Sequence, residues 1–330
     1  MSNLVSIIIP TYNRVHLISE TLDSILAQTH INWECIIVDD GSADDTANLI
    51  AKYVERDARF QYHQRPVDRI KGANACRNYG FEQSKGNYVK WFDSDDIMHP
   101  KFLEKQVVIL EENKDLDFCA CLSFTFNENS NVKTKNLANR YPTDELILSY
   151  LVKNHFFFTG SPLWKKLFLK NKILFDENLT DSHESDFHLR MLLDNPKYIY
   201  TDDFLFSIRR GNDSITQNSL NRKSSLKSKI VFFSKAKNII SSRKDISDNT
   251  LITEYLTFRI SGLIYELCLF NPRIAILQEN IGTIKDLVFQ KECTIKTKAN
   301  LVVGFGLLLF FGRGYNFLRE SLNIREEICN

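Results

Sequence analysis

No apolar run in this 330-residue sequence is long enough to cross a bilayer. The longest, LVVGFGLLLFF at 301–311, falls short of the roughly 20 residues that a spanning helix requires. Charge of one sign is also missing: 42 Lys and Arg against 41 Asp and Glu leave +1, so the composition carries no footprint of a nucleic-acid partner. Paired cysteine spacing is absent, since Cys119 and Cys121 have one residue between them where zinc knuckles have two or more. The seven cysteines are expected to be free thiols of a reducing compartment. MSNLVSIIIPTYNR has no basic stretch ahead of a long apolar core, so it reads as a strand rather than a signal peptide, and the expected location is cytoplasmic. Phosphate-cradling glycine loops are missing too: there is no GxxxxGK[ST], and GFGLLL near the end lacks the third glycine and the setting of a dinucleotide fingerprint.

What is present, up to about residue 122, is alternation of short β-branched runs with helical spacing. Strands are expected at LVSIII (4–9), WECIIVDD (33–40), FQYHQ (60–64), NYVKWF (87–92) and DFCACLS (117–123). Helices are expected at 17–26, after Gly41, at 74–84 and at 101–113, with Ser42 and Asp45 at capping-box spacing. The pattern implies an α/β fold with a mostly parallel sheet flanked by helices, whose ligands sit beyond the carboxyl ends of the strands. Those ends are Pro10-Thr11-Tyr12-Asn13, Asp39-Asp40 and Asp93-Ser94-Asp95-Asp96, three polar segments expected to meet in one crevice. From 124 to 180 the pattern loosens around a helix at 143–153 and the run FFFTGSPLWKK. DSHESDFHLRMLLDN opens a helix with acids, and YIYTDDFLFSIRR (198–210) reads as a strand. No Pro or Gly falls between 215 and 261, and a boundary is placed near 218, before a helical region 219–330.

The acids in WFDSDD (91–96) repel one another unless a cation lies among them. One reading is a solvated acidic turn; the other is a site for Mg²⁺ or Mn²⁺, which takes carboxylate oxygens and bridges them to substrate phosphates. Asp40 sits in DDGS, which is also plain turn chemistry. A carboxylate in a nucleotide crevice accepts hydrogen bonds only, so it suits a base presenting an N–H, such as uracil N3.

SIIIPTYNR (6–14), IIVDDGSADDT (36–46), GANACRNYGFEQSKGNYVKWFDSDD (72–96) and HESDFHLR (183–190) together resemble the inverting nucleotide-sugar glycosyltransferases of family 2, with the GT-A fold. The resemblance covers roughly 4–210 and implies a GT-A domain over 1–218, with a nucleotide-sugar half (1–122) and an acceptor half (123–218). It further implies a UDP-sugar donor and Mn²⁺ or Mg²⁺ as cofactor. Pro10, Thr11 and Tyr12 would line the nucleotide pocket, Asp40 would contact the base, and Arg14 and Arg77 would lie near the diphosphate. The family's DxD element falls on Asp93-Ser94-Asp95, with Asp95 on the metal and Asp93 on metal or ribose; Asp96 is a helix cap or an extra ligand. The base that deprotonates the acceptor is commonly the Asp of a Glu-Asp pair, which here becomes His183-Glu184. Glu184 is the expected base, with Asp186 and Asp181 as alternatives, or as acids favoured by a helix macrodipole. His183 and His188 are read as surface or pocket residues, and Arg209-Arg210 as a diphosphate clamp or a surface pair.

Segment 221–250 holds eight Lys or Arg against two Asp, with Leu226, Ile230, Phe233 and Ile240 near one helical face. It is either a solvated helix packed on its own domain or a basic surface facing anionic lipid or a lipid-linked acceptor. The 301–318 run, beside Arg313, Tyr315 and Arg319, is a buried helix or a shallow membrane contact. The functional reading is transfer to a glycan or lipid-linked oligosaccharide in surface polysaccharide synthesis. Alternatives are a sugar-phosphate nucleotidyltransferase, which would want a glycine-rich loop that PTYNR lacks, and a non-catalytic assembly subunit.

Overall fold

The computed structural model describes residues 3–127, 133–137, 146–211, 219–246, 249–270, 272–291 and 293–318. Strand β1 (Val5–Thr11) is buried along its whole length, as a central parallel strand covered on both faces must be. It pairs in parallel with β2 (Trp33–Asp39) on one side and β4 (Tyr88–Trp91) on the other, while β2 pairs in parallel with β3 (Phe60–Gln64). Helices α1 (Ile18–Leu26), α2 (Thr46–Arg56) and α3 (Ala73–Gln83) make the crossovers. The chain runs outward from β1 to β3 and returns past β1 to β4, so the order reverses beside β1 and a crevice opens at the carboxyl ends of β1 and β4.

Period-two alternation divides the core. Val5, Ile7 and Ile9 face Ile18, Leu22 and Ile25 of α1 and Phe102 and Leu103 of α4 (Phe102–Glu112). Ile36 and Val38 face Cys76 and Tyr79 of α3 on the other side. Close approach of α3 to the sheet depends on Gly80, where a Cβ would stand 2.4 Å from Ile8 Cγ2.

The rest of the sheet is mixed. After the short β5 (Ile97–Met98), β6 (Phe118–Asn127) pairs with β7 (Lys133–Asn136) and β8 (Leu163–Lys165) antiparallel and with β9 (Tyr198–Arg210) in parallel. β8 joins β4 antiparallel, giving the order β3-β2-β1-β4-β8-β6-β9-β5. Beneath it the Lys90 side chain is fully buried, its Nζ donating to the carbonyls of Gly160 (2.9 Å), Ser161 (3.3 Å) and Pro162 (3.4 Å). Burial pulls the Lys90 pKa down to about 7.

The capping box does not form. Ser42 Oγ instead donates to Asp39 at 2.7 Å, and the Thr46 amide donates to Asp44 Oδ1 at 3.1 Å, because the β2–α2 loop is drawn toward the strand end. The six described cysteines are free and buried; Cys329, Arg319 and residues 143–145 lie outside the described residues.

The chain forms two compact units. The first comprises 1–141, 155–178 and 190–214 and contains the whole sheet; the second comprises 142–154, 179–189 and 215–330. Segments 142–154 and 179–189, placed by sequence in the acceptor half, thus group with the C-terminal helices. The second unit holds α5 (Leu146–Leu151), α8 (Ser219–Ser241), α9 (Asn249–Cys268), α10 (Arg273–Glu279), α11 (Ile281–Phe289), α12 (Ile295–Phe311) and α13 (Tyr315–Leu318). Leu226, Ile230, Phe233 and Ile240 of α8 are buried, and three of its six cations have polar partners in the unit: Lys229 lies 3.6 Å from Asp181, Lys227 2.5 Å from Glu279, and Lys237 2.8 Å from Gln290. The packing fits the reading of 221–250 as a helix packed within its own unit. Among the described residues no helix is long and apolar enough to cross a membrane.

Candidate active site

The crevice in the first unit is built from loops that fix one another. Asn13, at φ +50°, turns the chain out of β1; its amide donates to Ser42 Oγ (2.9 Å) and its Oδ1 accepts from the Ala43 amide (2.8 Å). The Arg14 amide donates to Thr46 Oγ1 at 2.9 Å. The segment after β1 is therefore stitched to the segment after β2. Pro10 and Thr11 end β1, and the buried Thr11 Oγ1 has no partner among the described residues. Tyr12 stands exposed, with Lys71 Nζ 4.2 Å from its ring centroid.

Asp39 and Asp40 have separate tasks. Asp39 accepts from Ser42 and from the Tyr62 hydroxyl (2.9 Å), so it is a structural anchor. The Asp40 amide donates to the Thr11 carbonyl at 2.9 Å, which ties the two strand ends together. Its carboxylate is not wholly open: Oδ1 accepts from Arg65 Nε at 2.5 Å, leaving Oδ2 without a partner among the described residues. Arg65 in turn donates to the carbonyls of Pro66 (2.8 Å) and Arg69 (2.5 Å).

The acids after β4 meet arginines. Arg77 reaches from α3, buried, to place NH2 2.8 Å from Asp93 Oδ1 and NH1 3.2 Å from Asn74 Oδ1, and its Nε lacks an acceptor among the described residues. Arg14 NH2 stands 3.9 Å from Asp95 Oδ2, and Ser94 is buried between them in sequence. Asp96 turns inward, its Oδ1 accepting from the Arg209 amide at 3.1 Å, so it is neither an open ligand nor the cap of α4. Arg209 also holds the turn: Nε donates to the Asp95 carbonyl (3.0 Å) and NH2 to Glu20 (2.8 Å). Burial, then the charges of Asp93 and Asp95, pushes the Asp96 carboxyl well above its ordinary range. Burial and Asp93 likewise raise Asp95, with Arg14 and Arg209 pulling the other way.

That balance is the test for a cation. Among the described residues no group of three or more His, Cys, Asp or Glu is placed to hold one. Asp95 and Asp93 supply two accessible carboxylates whose mutual repulsion a divalent ion would relieve. Mg²⁺ in particular binds through one or two carboxylates and completes its shell with phosphate oxygens and water. The donor set therefore fits a hard cation that arrives with a diphosphate.

Glu184 and Asp186 belong to the second unit, in the first turn of α7 (His183–Leu193). Asp186 is buried, and the two acids together raise the pKa of the Tyr150 hydroxyl, after burial itself. His188 is buried and His183 half-buried. Asp181 is engaged otherwise: Ser225 Oγ donates to it and Lys229 pairs with it, and these outweigh the upward pull of burial, so its carboxyl lies below the usual range. It serves as an anchor for α8.

Sequence reasoning did not single out Arg65, Lys71 or Asn74. Arg65 had a signal, since it follows the end of β3 as the aspartates follow β2 and β4. Lys71 lies in the β3–α3 loop, whose path no local pattern encodes, and Asn74 in the first turn of α3 that this loop positions.

Comparison with known proteins shows the family. Residues 6–170 match the family model Glycosyl transferase family 2. An uncharacterised glycosyltransferase of Rickettsia typhi is 32% identical over 221 residues, covering 66% of this chain and 67% of that one. TuaG of Bacillus subtilis, a glycosyltransferase named for teichuronic acid biosynthesis, is 40% identical over 122 residues, covering 37% of this chain and 46% of its own. Among solved structures, Staphylococcus aureus TarS 1–349 in complex with UDP-GlcNAc superposes with a TM-score of 0.66 at 16% identity, covering 97% of this chain and 91% of that one. At that identity the likeness concerns the fold.

Proposed function

The chain belongs to glycosyl transferase family 2, and from that premise we propose that it is a metal-dependent, inverting hexosyltransferase. It would move a sugar from a UDP-sugar to a hydroxyl of a glycan or lipid-linked oligosaccharide in surface polysaccharide synthesis. The observation that carries the reading is the crevice at the carboxyl ends of β1 and β4, where Thr11, Asp40 Oδ2, Asp93 and Asp95 come together with Arg14 and Arg77. Asp40 Oδ2 is an acceptor suited to the N3–H of uracil, and Tyr12 offers a face to the base. Arg77 Nε and Arg14 are cations suited to the diphosphate. Mn²⁺ or Mg²⁺, held by Asp95 and Asp93, would supply Lewis-acid neutralisation of the leaving group.

Glu184 is proposed as the base that takes the proton from the acceptor hydroxyl as its oxygen attacks the anomeric carbon, with Asp186 as the alternative. One such displacement inverts the configuration through an oxocarbenium-like transition state. The relative named for teichuronic acid biosynthesis supports a surface-glycan acceptor. Family membership sets aside the sugar-phosphate nucleotidyltransferase. Action at the inner face of the membrane, with contact through 221–330, is part of the proposal.

The test is calorimetric titration of UDP into the protein with Mn²⁺ and with chelator, repeated for Asp95→Ala, with GDP and CDP as competitors. Metal-dependent binding selective for UDP, weakened at least about tenfold in the variant, is expected. Absence of any nucleotide-diphosphate binding by folded protein would reject the reading.

A further inference from the structure

The second unit carries a surface that locates the membrane contact included in the proposed function, and the inference rests on that part of it. Helix α12 is closed at both ends: Thr294 Oγ1 accepts from the Thr297 amide (3.2 Å), and Gly312, at φ +67°, returns its amide to the Leu308 carbonyl (3.1 Å). At about 1.5 Å per residue it is roughly 25 Å long, short of a bilayer's hydrocarbon core of about 30 Å. Leu301, Gly304, Phe305 and Leu308 form its buried face. The opposite face carries Ala299, Val302, Val303, Leu309 and Phe310, which fall on one side of a 3.6-residue helix and are all exposed, Phe310 at 74%. No charged residue occurs between Lys298 and Arg313. A helix that merely packs on its own domain has a polar outer face; this one is apolar on both.

Beside the stripe, α10, α11 and α12 bound an open trough of about 470 Å³ lined by Ile274, Leu277, Ile281, Ile284, Phe305 and Leu309. Ile274 and Ile281 are more than half exposed, so the apolar surface continues from helix to helix. Its surround is basic. Residues 273–318 hold six Lys or Arg against three acids, and one of those acids, Glu279, is paired with Lys227. Lys285, Lys291 and Arg313 are exposed.

We propose that the α10–α12 face docks on an anionic lipid bilayer, with α12 lying in the interfacial plane and its stripe among the acyl chains. Charge decides between occupants. A second copy meeting this face across a two-fold axis would bring the same basic surround against itself, whereas an anionic leaflet attracts it. The contact is thereby assigned to α10–α12 rather than to α8, three of whose cations (Lys227, Lys229 and Lys237) are used within the unit. The inference stands apart from the choice of donor, because lipid and nucleotide binding are read separately.

Flotation of the full chain with vesicles of equal parts phosphatidylglycerol and phosphatidylcholine, against phosphatidylcholine alone, tests it. The wild type is expected to float with the anionic vesicles at low salt and less with the neutral ones. Val303→Asp combined with Phe310→Glu should weaken partitioning about tenfold or more. Lys285→Glu combined with Arg313→Glu should remove the preference for anionic vesicles. Circular dichroism melts of both variants should match the wild type, and UDP titrations should be unchanged. A wild type that stays unbound on anionic vesicles at low salt overturns the proposal. So does a wild-type dimer in sedimentation that Val303→Asp/Phe310→Glu converts to monomer, which would make the face an interface between copies.

Discussion

Three acids after β4 and one after β2 are each met by an arginine in a different way. Arg77 pairs with Asp93, Arg14 approaches Asp95, Arg65 holds Asp40, and Arg209 spends its guanidinium on backbone and Glu20 while its amide takes Asp96. Repulsion within WFDSDD is thus offset by side chains from distant parts of the chain. Lys90 is the converse, a buried cation facing carbonyls and the ring of Phe102, with no carboxylate paired to it among the described residues. Its pKa of about 7 in the fold lies below the ordinary lysine value, so the unfolded chain binds a proton that the fold does not, and its contribution to stability rises with pH above about 7. From pH 7 to about 8 the contribution of Lys90 should grow by about 1 kcal/mol, read as the difference between urea melts of the wild type and Lys90→Met, because the buried cysteines, which titrate when exposed in the unfolded chain, act the opposite way and alike in both proteins. A difference that does not change with pH would assign the proton to other groups.

At the scale of elements, the crevice depends on how closely α3 lies on β1 and β2, since α3 delivers Arg77. Gly80→Ala places a methyl carbon 2.4 Å from Ile8 Cγ2, and backing α3 away should cost about 1–3 kcal/mol. The same variant should weaken UDP binding, because Arg77 moves with the helix; denaturant melts and titration read the two effects. A stable variant with intact binding would mean that the sheet yields instead. Strands β1, β2, β3 and β9 were legible from β-branched and aromatic runs, because a buried strand in an α/β sheet advertises itself locally. The capping box at Ser42 and Asp45 was not, since Ser42 is drawn to Asp39 and Asn13 by a loop-to-loop fit.

For the whole molecule, the two units offer separate readouts. All three tryptophans, Trp33, Trp91 and Trp164, are buried in the first unit, so tryptophan fluorescence follows the melting of the unit that holds the crevice. UDP with Mn²⁺, at about a hundredfold over its dissociation constant, should stabilise that transition by about 2.7 kcal/mol. The shift should vanish with chelator and in Asp95→Ala. A shift that survives both would place nucleotide binding elsewhere than on Asp95.

By itself the sequence determined the α/β alternation, the polar strand ends and the family, because each is written in contiguous residues: an apolar run, then a turn, then acids. It also bounded the C-terminal third as helical and too short in any apolar run to cross a bilayer. Only the tertiary structure decided which cation meets which aspartate, that Asp96 and Asp181 are anchors, that α8 is packed and α12 is bare. Those outcomes depend on residues far apart in the chain and on which helical face finds a neighbour. Local periodicity marks a face as apolar, but only the fold determines whether anything covers it.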